Sequence, residues 1–405
     1  MHRFNVEKTR GKLQADQILI ASILMLIGIG LVTLYSSSYG LAERDYGGGL
    51  YFISKQLMLG FVGMALFFLA SRINLDVLRK GKIPILLALG GMVLCVLPLI
   101  PGMGMTKNGA TRWVSIGSLP GFQPSEFVKL ILPLYLAHIF DKKQDHLDSF
   151  VKSILPPFFM ILGFIVLIYL QNNFSTALFI AVNGVFIFWL AGVRIRYFLS
   201  ALVIFVPFSI LLVLIEPHRW RRLLSFMNPA WEPHGAGYQV RASVMTIASG
   251  GFWGKGMGQN ITRIAAVPEI HSDFIFSAYA EAFGFLGVLL FFVLFGVFAL
   301  RGYRAAMRSE ETFRRLLAFG LVSMIVSQTL VNIAVTSGTL PATGIPLPFF
   351  SAGGSSLLVT LVATGIVVNI SRSPQKSGFF VPGGGRFARK SEAWYAQEPE
   401  AHHVR

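Results

Sequence analysis

Residues 17–37, QILIASILMLIGIGLVTLYSS, run without one charged side chain. A helix of that length rises about 30 Å, the thickness of a bilayer's hydrocarbon core. Such runs recur along the chain and constrain it more than any other feature. Hydropathy and window length give ten candidate helices, at about 17–37, 51–71, 83–100, 124–140, 153–170, 174–192, 197–215, 273–300, 313–336 and 350–371. The composition agrees: charged residues are 13%, whereas a soluble domain carries about 25%. The expected fold class is an all-α polytopic membrane protein.

Sidedness follows from the basic residues. Lys and Arg number 35 against 19 Asp and Glu, a net charge of +16. In a membrane chain this excess marks cytoplasmic connections that face anionic lipid. Basic clusters interleaved with aromatics are missing outside the apolar runs, so no nucleic-acid partner is expected. One set of connections holds Arg3, Lys8, Arg10 and Lys12, then Arg72, Arg79, Lys80 and Lys82, then Lys142, Lys143 and Lys152. It continues with Arg194 and Arg196, and with Arg301, Arg304, Arg308, Arg314 and Arg315. The opposite short connections hold chiefly Arg44, Lys107 and Arg112. Both termini are therefore expected in the cytoplasm, and an even number of spans fits that.

The organisation reads as a cytoplasmic N-terminal segment 1–16, a transmembrane domain 17–371 and a polar cytoplasmic tail 372–405 expected to be disordered. The N-terminal segment lacks a small-residue cleavage site, so it reads as the held start of the first span. Between the seventh and eighth helices lies a long connection, 216–272, which alternation puts outside. It carries Arg219, Arg221, Arg222, Arg241, Lys255 and Arg263, but long loops escape the charge rule. Basic, Gly-rich and Trp-rich, it reads as functional rather than passive. Cys95 is the single cysteine, which excludes an intrachain disulfide or a cysteine-rich metal site. No internal repeat stands out in charge or Gly/Pro punctuation, which weighs against an inverted-repeat transporter.

Four clusters carry chemistry, all on the expected outer side. In NGATRWVSIGSLPGFQPSEFVKL, residues 108–130, Glu126 and Lys129 sit three apart on one helical face. They read either as an ion pair locking the fourth helix or as a polar anchor, with Lys129 or Arg112 meeting a phosphate. In the long connection, Arg219, Arg221 and Arg222 flank Trp220; they could grip a phosphate or lie against lipid headgroups. The third cluster is PEIHSDFIFSAYAEAFGFLG, residues 268–287. Asp273, Ser277 and Glu281 share a face at i, i+4 and i+8, so Glu281 lies about 12 Å deeper than Asp273. Asp273 is explained cheaply as a residue favoured at a helix N-terminus. Glu281 needs a partner at membrane depth, whether structural or functional. The fourth, SGTLPATGIPLPFFSAGGSSLL at 337–358, reads as a re-entrant or broken element packed within protein, or as a tight turn. Its GGSS could offer helix N-terminal amides to an anion. No metal-ligand motif occurs.

Taken in order, NGATRWVSIG with FQPSEFVKL, NPAWEPHGAGYQV, GKGMGQ, PEIHSDFIFSAYAEAFGFLG and LPATGIPLPFFSAGGSSLL resemble the SEDS family (shape, elongation, division and sporulation) over most of 17–371. EPHRWRRLLSFMNPAWEPHGAGYQ and YFISKQL resemble its division branch more than its elongation branch. The resemblance implies a peptidoglycan glycosyltransferase that polymerises lipid II beside a class B penicillin-binding protein and other divisome membrane proteins. It implies residence in the bacterial cytoplasmic (inner) membrane, at the septum. The family's essential aspartate in H-[ST]-D-F matches Asp273, its tryptophan after the arginine matches Trp113, and its QPSE…K pair matches Glu126 and Lys129. Two departures are QNNFST at 171–176, where Asn173 stands for an acidic residue, and SAGGSS, where Ala352 removes a hydroxyl.

On this reading Asp273 is the general base, inverting the donor. Arg112, Lys129, Arg219, Arg221 and Arg222 are candidates to meet the departing pyrophosphate, with Trp113, Glu126 and Glu281 as further pocket residues. No cofactor is required by the motifs, though a divalent cation (Mg or Mn) would suit the pyrophosphate. The alternatives are a lipid II flippase, which needs polar groups in both leaflets, an elongation-type polymerase, and a scaffold without chemistry.

Overall fold

A computed structural model describes residues 15–107, 109–115, 121–144, 149–228, 235–257, 267 and 269–372. The basic residues of the N-terminal segment, Arg263, the 229–234 part of NPAWEPHGAGYQV and the tail beyond Arg372 lie outside the described residues.

Each of the ten apolar runs coincides with a helix. In chain order these elements are α1 (Gln17–Tyr46), α2 (Tyr51–Ala70), a short α3 (Leu75–Lys80), α4 (Ile83–Val96), α5 (Pro124–Lys142), α6 (Leu155–Leu170), α7 (Phe174–Leu190) and α8 (Ile195–Ile215). They continue with α9 (Pro217–Met227), α10 (Ala236–Ser249), α11 (Ile275–Arg308), α12 (Thr312–Thr336) and α13 (Gly354–Ser371). Six helical stretches are long and apolar enough to cross a membrane: α1, α2, Phe150–Leu170, α11, α12 and α13. Ile83–Leu99, Phe174–Leu190 and Phe205–Ile215 are shorter apolar helices. The remaining run, the fourth, is α5; it carries Glu126, Lys129, His138 and Asp141, and the first three of these are buried. A helix wrapped by other helices need not be apolar toward lipid.

The fold is the expected all-helical membrane bundle, to which Gly104–Lys107 (β1) and Ala110–Val114 (β2) add one small antiparallel hairpin. Gly109, at φ 75°, supplies the turn conformation that a two-residue hairpin connection requires. The 216–272 connection is no plain loop, since it holds the amphipathic α9 and then α10.

The helices are arranged inside out relative to a soluble bundle. α2 exposes Phe61 at 82% and Leu69 at 67%, whereas it buries Gln56, Gly63, Phe67 and Ala70. Its buried stripe meets α13: Gly63 lies against Leu361, and Gly365 against the Phe67 carbonyl. Gln56 Nε2 donates to Ser351 O at 3.0 Å. Lipid is as apolar as leucine, so small residues that allow close approach and polar groups that hydrogen-bond drive such contacts.

Polar contacts sort the helix ends. At one end Arg79 pairs with Asp141 (2.8 Å), Arg314 with Asp76 (3.0 Å) and Arg301 with Asp16 (2.6 Å). Asn369 at the end of α13 bonds the carbonyls of Ala70 and Ile73. The arginine-rich connections of the sequence thus meet at one end of the bundle, and the segments around Asp273 and 337–353 lie at the other.

α11 breaks at Gly284, whose φ of 64° no L-residue adopts cheaply. The freed backbone groups are taken up by 250–256: Phe285 N donates to Gly251 O (2.9 Å), and Lys255 N donates to Glu281 O (3.0 Å). Within the hydrocarbon depth a helix break is tolerated only where protein re-satisfies it.

Candidate active site

Residues 269–274 form turns ahead of α11. Glu269 takes a left-handed backbone (φ 56°), and its carbonyl accepts from Ser272 N at 2.9 Å and Phe274 N at 3.4 Å. Asp273 therefore lies just before the helix, which starts at Ile275 rather than at Asp273 as the sequence suggested.

The turn is clamped from two sides. Asn332 on α12 donates Nδ2 to Asp273 O (2.8 Å) and to Ile345 O (2.9 Å). Ala352 N donates to His271 O at 2.9 Å, and Ser351 Oγ donates to Ser272 O at 2.6 Å while accepting from Leu347 N. The Pro- and Gly-rich segment 337–353 is non-helical, with Leu347, Phe349 and Phe350 buried. The expectation of a broken element packed within protein is met, and the element's work is to hold the Asp273 turn. Ala352 contributes there through its amide, which the missing hydroxyl does not affect.

The Asp273 side chain accepts from Ser272 Oγ at 3.1 Å. A Cβ placed on Gly344 would stand 3.4 Å from Asp273 Oδ2 and 3.9 Å from both Arg112 Nη atoms. Gly344, at φ 71°, keeps that space between carboxylate and guanidinium open. Arg222 comes from α9, its Nη1 donating to Ala342 O at 3.4 Å. Arg112 and Arg222 each keep a buried Nε without a hydrogen-bond partner among the described residues. The Asp273 carboxylate is therefore faced by two under-satisfied cations, with the Glu269 carboxylate also in electrostatic reach.

Burial, and next the Glu269 carboxylate, push the Asp273 carboxyl up to about 6; Arg112, the Ser272 hydrogen bond and Arg222 pull the other way. Burial lowers the Arg112 and Arg222 guanidiniums, with Asp273 opposing it. Burial also lowers the His271 imidazole, whose ring is tilted 37° against Phe52 with centroids 4.3 Å apart. A carboxylate near 6 is placed to take a proton at neutral pH, as a catalytic base must.

The other sequence candidates separate by place. Trp113 lies beneath Arg112, whose guanidinium carbon is 4.4 Å from its ring centroid, and so supports that cation. Glu126 and Lys129 form a buried ion pair at 2.7 Å, and Lys129 also donates to Gln328 Oε1 at 3.1 Å. Gln328 in turn donates to Pro346 O, tying the pair to the 337–353 segment. Arg219 turns away to α6–α8, bonding Tyr169 Oη (2.9 Å) and Leu212 O. Arg221 is exposed. Glu281 binds Lys255 at 3.2 Å and Ser249 Oγ at 2.8 Å, fixing the end of α10 and the 250–256 segment to α11. Asn173 is buried beside Ser125, its Nδ2 3.5 Å from Ser125 Oγ.

Sequence reasoning missed Glu269, Ser272, Gly344, Ser351 and Asn332. Glu269 and Ser272 lay within the quoted motif, where only their closeness to Asp273 could have marked them. Asn332 offered one signal, a polar residue within an apolar run. Among the described residues no group of three or more His, Cys, Asp or Glu could hold a metal ion.

Residues 16–376 match the family of cell cycle proteins FtsW, RodA and SpoVE. The chain belongs to this family. Its FtsW/RodA/SpoVE membership bears out the resemblance drawn from the motifs. A probable peptidoglycan glycosyltransferase FtsW of Trichlorobacter lovleyi is 36% identical, covering 88% of this chain and 93% of the relative. Stage V sporulation protein E of Bacillus subtilis is 35% identical, covering 90% and 99%. Among solved structures, the rod shape determining protein RodA of Thermus thermophilus is similar with a TM-score of 0.65 at 26% identity, over 88% of this chain and 97% of that one. A chain from a structure on the coordination of polymerization and crosslinking by a peptidoglycan synthase complex has a TM-score of 0.73 at 28% identity, over 88% and 98%.

Proposed function

We propose that this protein is a peptidoglycan glycosyltransferase that polymerises lipid II into β-1,4 glycan strands at the outer face of the bacterial cytoplasmic membrane, in septal synthesis. The observation that carries the reading is the Asp273 carboxylate, lifted to about 6 opposite the half-buried arginines Arg112 and Arg222. Asp273 takes the proton of the acceptor sugar hydroxyl as that oxygen attacks the anomeric carbon of the donor. The bond from that carbon to the lipid pyrophosphate breaks on the opposite face, so an α-linked donor becomes a β-linked product. The pyrophosphate leaves with the bonding electrons, and Arg112 and Arg222 are placed to receive its charge with their unpaired Nε–H groups. A divalent cation accompanying the pyrophosphate would share that task.

The remaining candidates take supporting parts. Trp113 braces Arg112, and the Glu126–Lys129 pair braces the wall that carries Pro346. Glu281 holds the loop side of the site, while Arg219 and Arg221 belong to the rim of α9. Ten spans with both termini cytoplasmic are supported by the meeting of the arginine-rich connections at the end opposite Asp273. A class B penicillin-binding protein as partner, alongside other divisome membrane proteins, is supported by the likeness to a chain of a synthase complex.

The test is Asp273→Asn in the purified protein with its partner transpeptidase, supplied with lipid II in liposomes. Strand formation is expected to fall at least about 100-fold, the usual worth of a positioned base. Lipid scrambling assayed in parallel separates the flippase alternative. Near wild-type polymerisation by the variant would sink the base assignment.

A further inference from the structure

At the end of the bundle opposite Asp273, three membrane-length helices line a half-open polar cavity of about 350 Å³. α1 begins there, and α11 and α13 finish there. Arg301, Arg304 and Arg308, at i, i+3 and i+7 of α11, form one wall. Asp16 is the one carboxylate among the lining residues, and it is already engaged. Its side chain caps α1 through Leu19 N at 3.0 Å and pairs with Arg301 at 2.6 Å, while its amide donates to Ser371 Oγ. Asp16 thus offsets Arg301. Arg304 is exposed and has no hydrogen-bond or ion-pair partner among the described residues.

We propose that this cavity binds the phosphate group of an anionic phospholipid headgroup. Its volume lies at the small end of ligand pockets, enough for a phosphodiester with a glycerol-sized head. Arginine forks match phosphate oxygens geometrically. The rim selects lipid over soluble phosphate: Leu300 is 61% exposed beside Arg301, and Ile18, which lines the cavity, is 52% exposed. A cationic wall under an exposed apolar rim fits an amphiphile whose chains lie along α1 and α11. Basic pockets between spanning helices on the basic side are where anionic headgroups dock. This site is remote from the Asp273 chemistry and does not depend on it.

The test uses the full chain in nanodiscs of phosphatidylcholine alone or with added phosphatidylglycerol, reading bound phosphatidylglycerol by native mass spectrometry and thermal stability. Wild type is expected to retain phosphatidylglycerol and to be stabilised by it. Arg304→Gln is expected to weaken that retention about 5-fold, the effect of one arginine near an anionic headgroup. Asp16→Asn moves it the other way: the amide still caps Leu19 N while Arg301 is released, so retention tightens. Wild-type polymerisation by both variants shows that they are folded. If both variants retain the lipid as wild type does, the site is wrong. If inorganic phosphate added to phosphatidylcholine nanodiscs stabilises the protein and phosphatidylglycerol does not, the lipid assignment is wrong.

Discussion

Removing a hydrogen bond from the ionised form of Asp273 should move the acid limb of the activity in a direction that can be worked out beforehand. Ser272 Oγ donates to Asp273 Oδ1 at 3.1 Å and has no other side-chain partner among the described residues. That bond favours the carboxylate, so Ser272→Ala raises a pKa that burial and Glu269 have already lifted to about 6. A hydrogen bond to a charged group contributes about 1.5–3 kcal/mol, and the 3.1 Å length argues for the low end. At roughly 1.4 kcal/mol, a tenfold change, the acid limb moves from about pH 6 to about pH 7. At pH 6 the ionised fraction falls from about one half to about one in eleven, so the rate drops about fivefold; by pH 8.5 variant and wild type agree within about ten per cent. The assay is kcat/KM for lipid II polymerisation between pH 5.5 and 8.5, with Ser272→Thr as the control that keeps the hydroxyl. A limb that stays near pH 6 in Ser272→Ala, or moves lower, would refute the assignment of Asp273 as the titrating base.

Because its folded pKa lies above the ordinary 3.8, the ionised Asp273 costs stability that grows as pH rises from about 3.8 through about 6. Asp273→Asn should therefore gain roughly 3 kcal/mol at pH 8 and almost nothing at pH 4; thermal unfolding that shows no pH-dependent gain would contradict the burial argument. Lys129→Met strands the buried Glu126 carboxylate and should cost about 3–5 kcal/mol, whereas adding Glu126→Gln should recover much of it. A double variant as unstable as the single one would mean that the pair is not the source. Glu281→Gln weakens the Lys255 tie but keeps an acceptor for Ser249 Oγ, so a loss of about 1–3 kcal/mol is expected with no change in the acid limb. A shifted limb would place Glu281 in the Asp273 site after all.

Much of the architecture was legible because bilayer thickness sets helix length: runs such as 17–37 and 313–336 had one low-energy solution. Where that rule weakened, so did the reading. α5 is apolar enough to be found but carries a buried ion pair, and its surroundings are a property of the bundle rather than of its own residues. The hairpin at 104–114 is short, and α9 and α10 lie outside the hydrocarbon rule altogether.

Asp273 was singled out by its place at the mouth of an apolar run and by the family motif. Arg112 and Arg222 were named among five basic candidates, but that these two face Asp273 was not legible, nor were Asn332 and Ser351, because all four come from distant parts of the chain. Arg112 arrives on a strand, Arg222 on α9, Asn332 on α12 and Ser351 on the segment before α13, each brought by packing that no local spacing encodes. The same packing separated the two carboxylates of PEIHSDFIFSAYAEAFGFLG. The sequence by itself determined that both lay near one end of one apolar helix. Only the tertiary structure decided that Lys255 and Ser249 bond Glu281 Oε1, while burial and Glu269, against two arginines, lift Asp273 to about 6. A pKa is set by everything within several ångströms in space, and the residues that do so here are up to about 160 positions away along the chain.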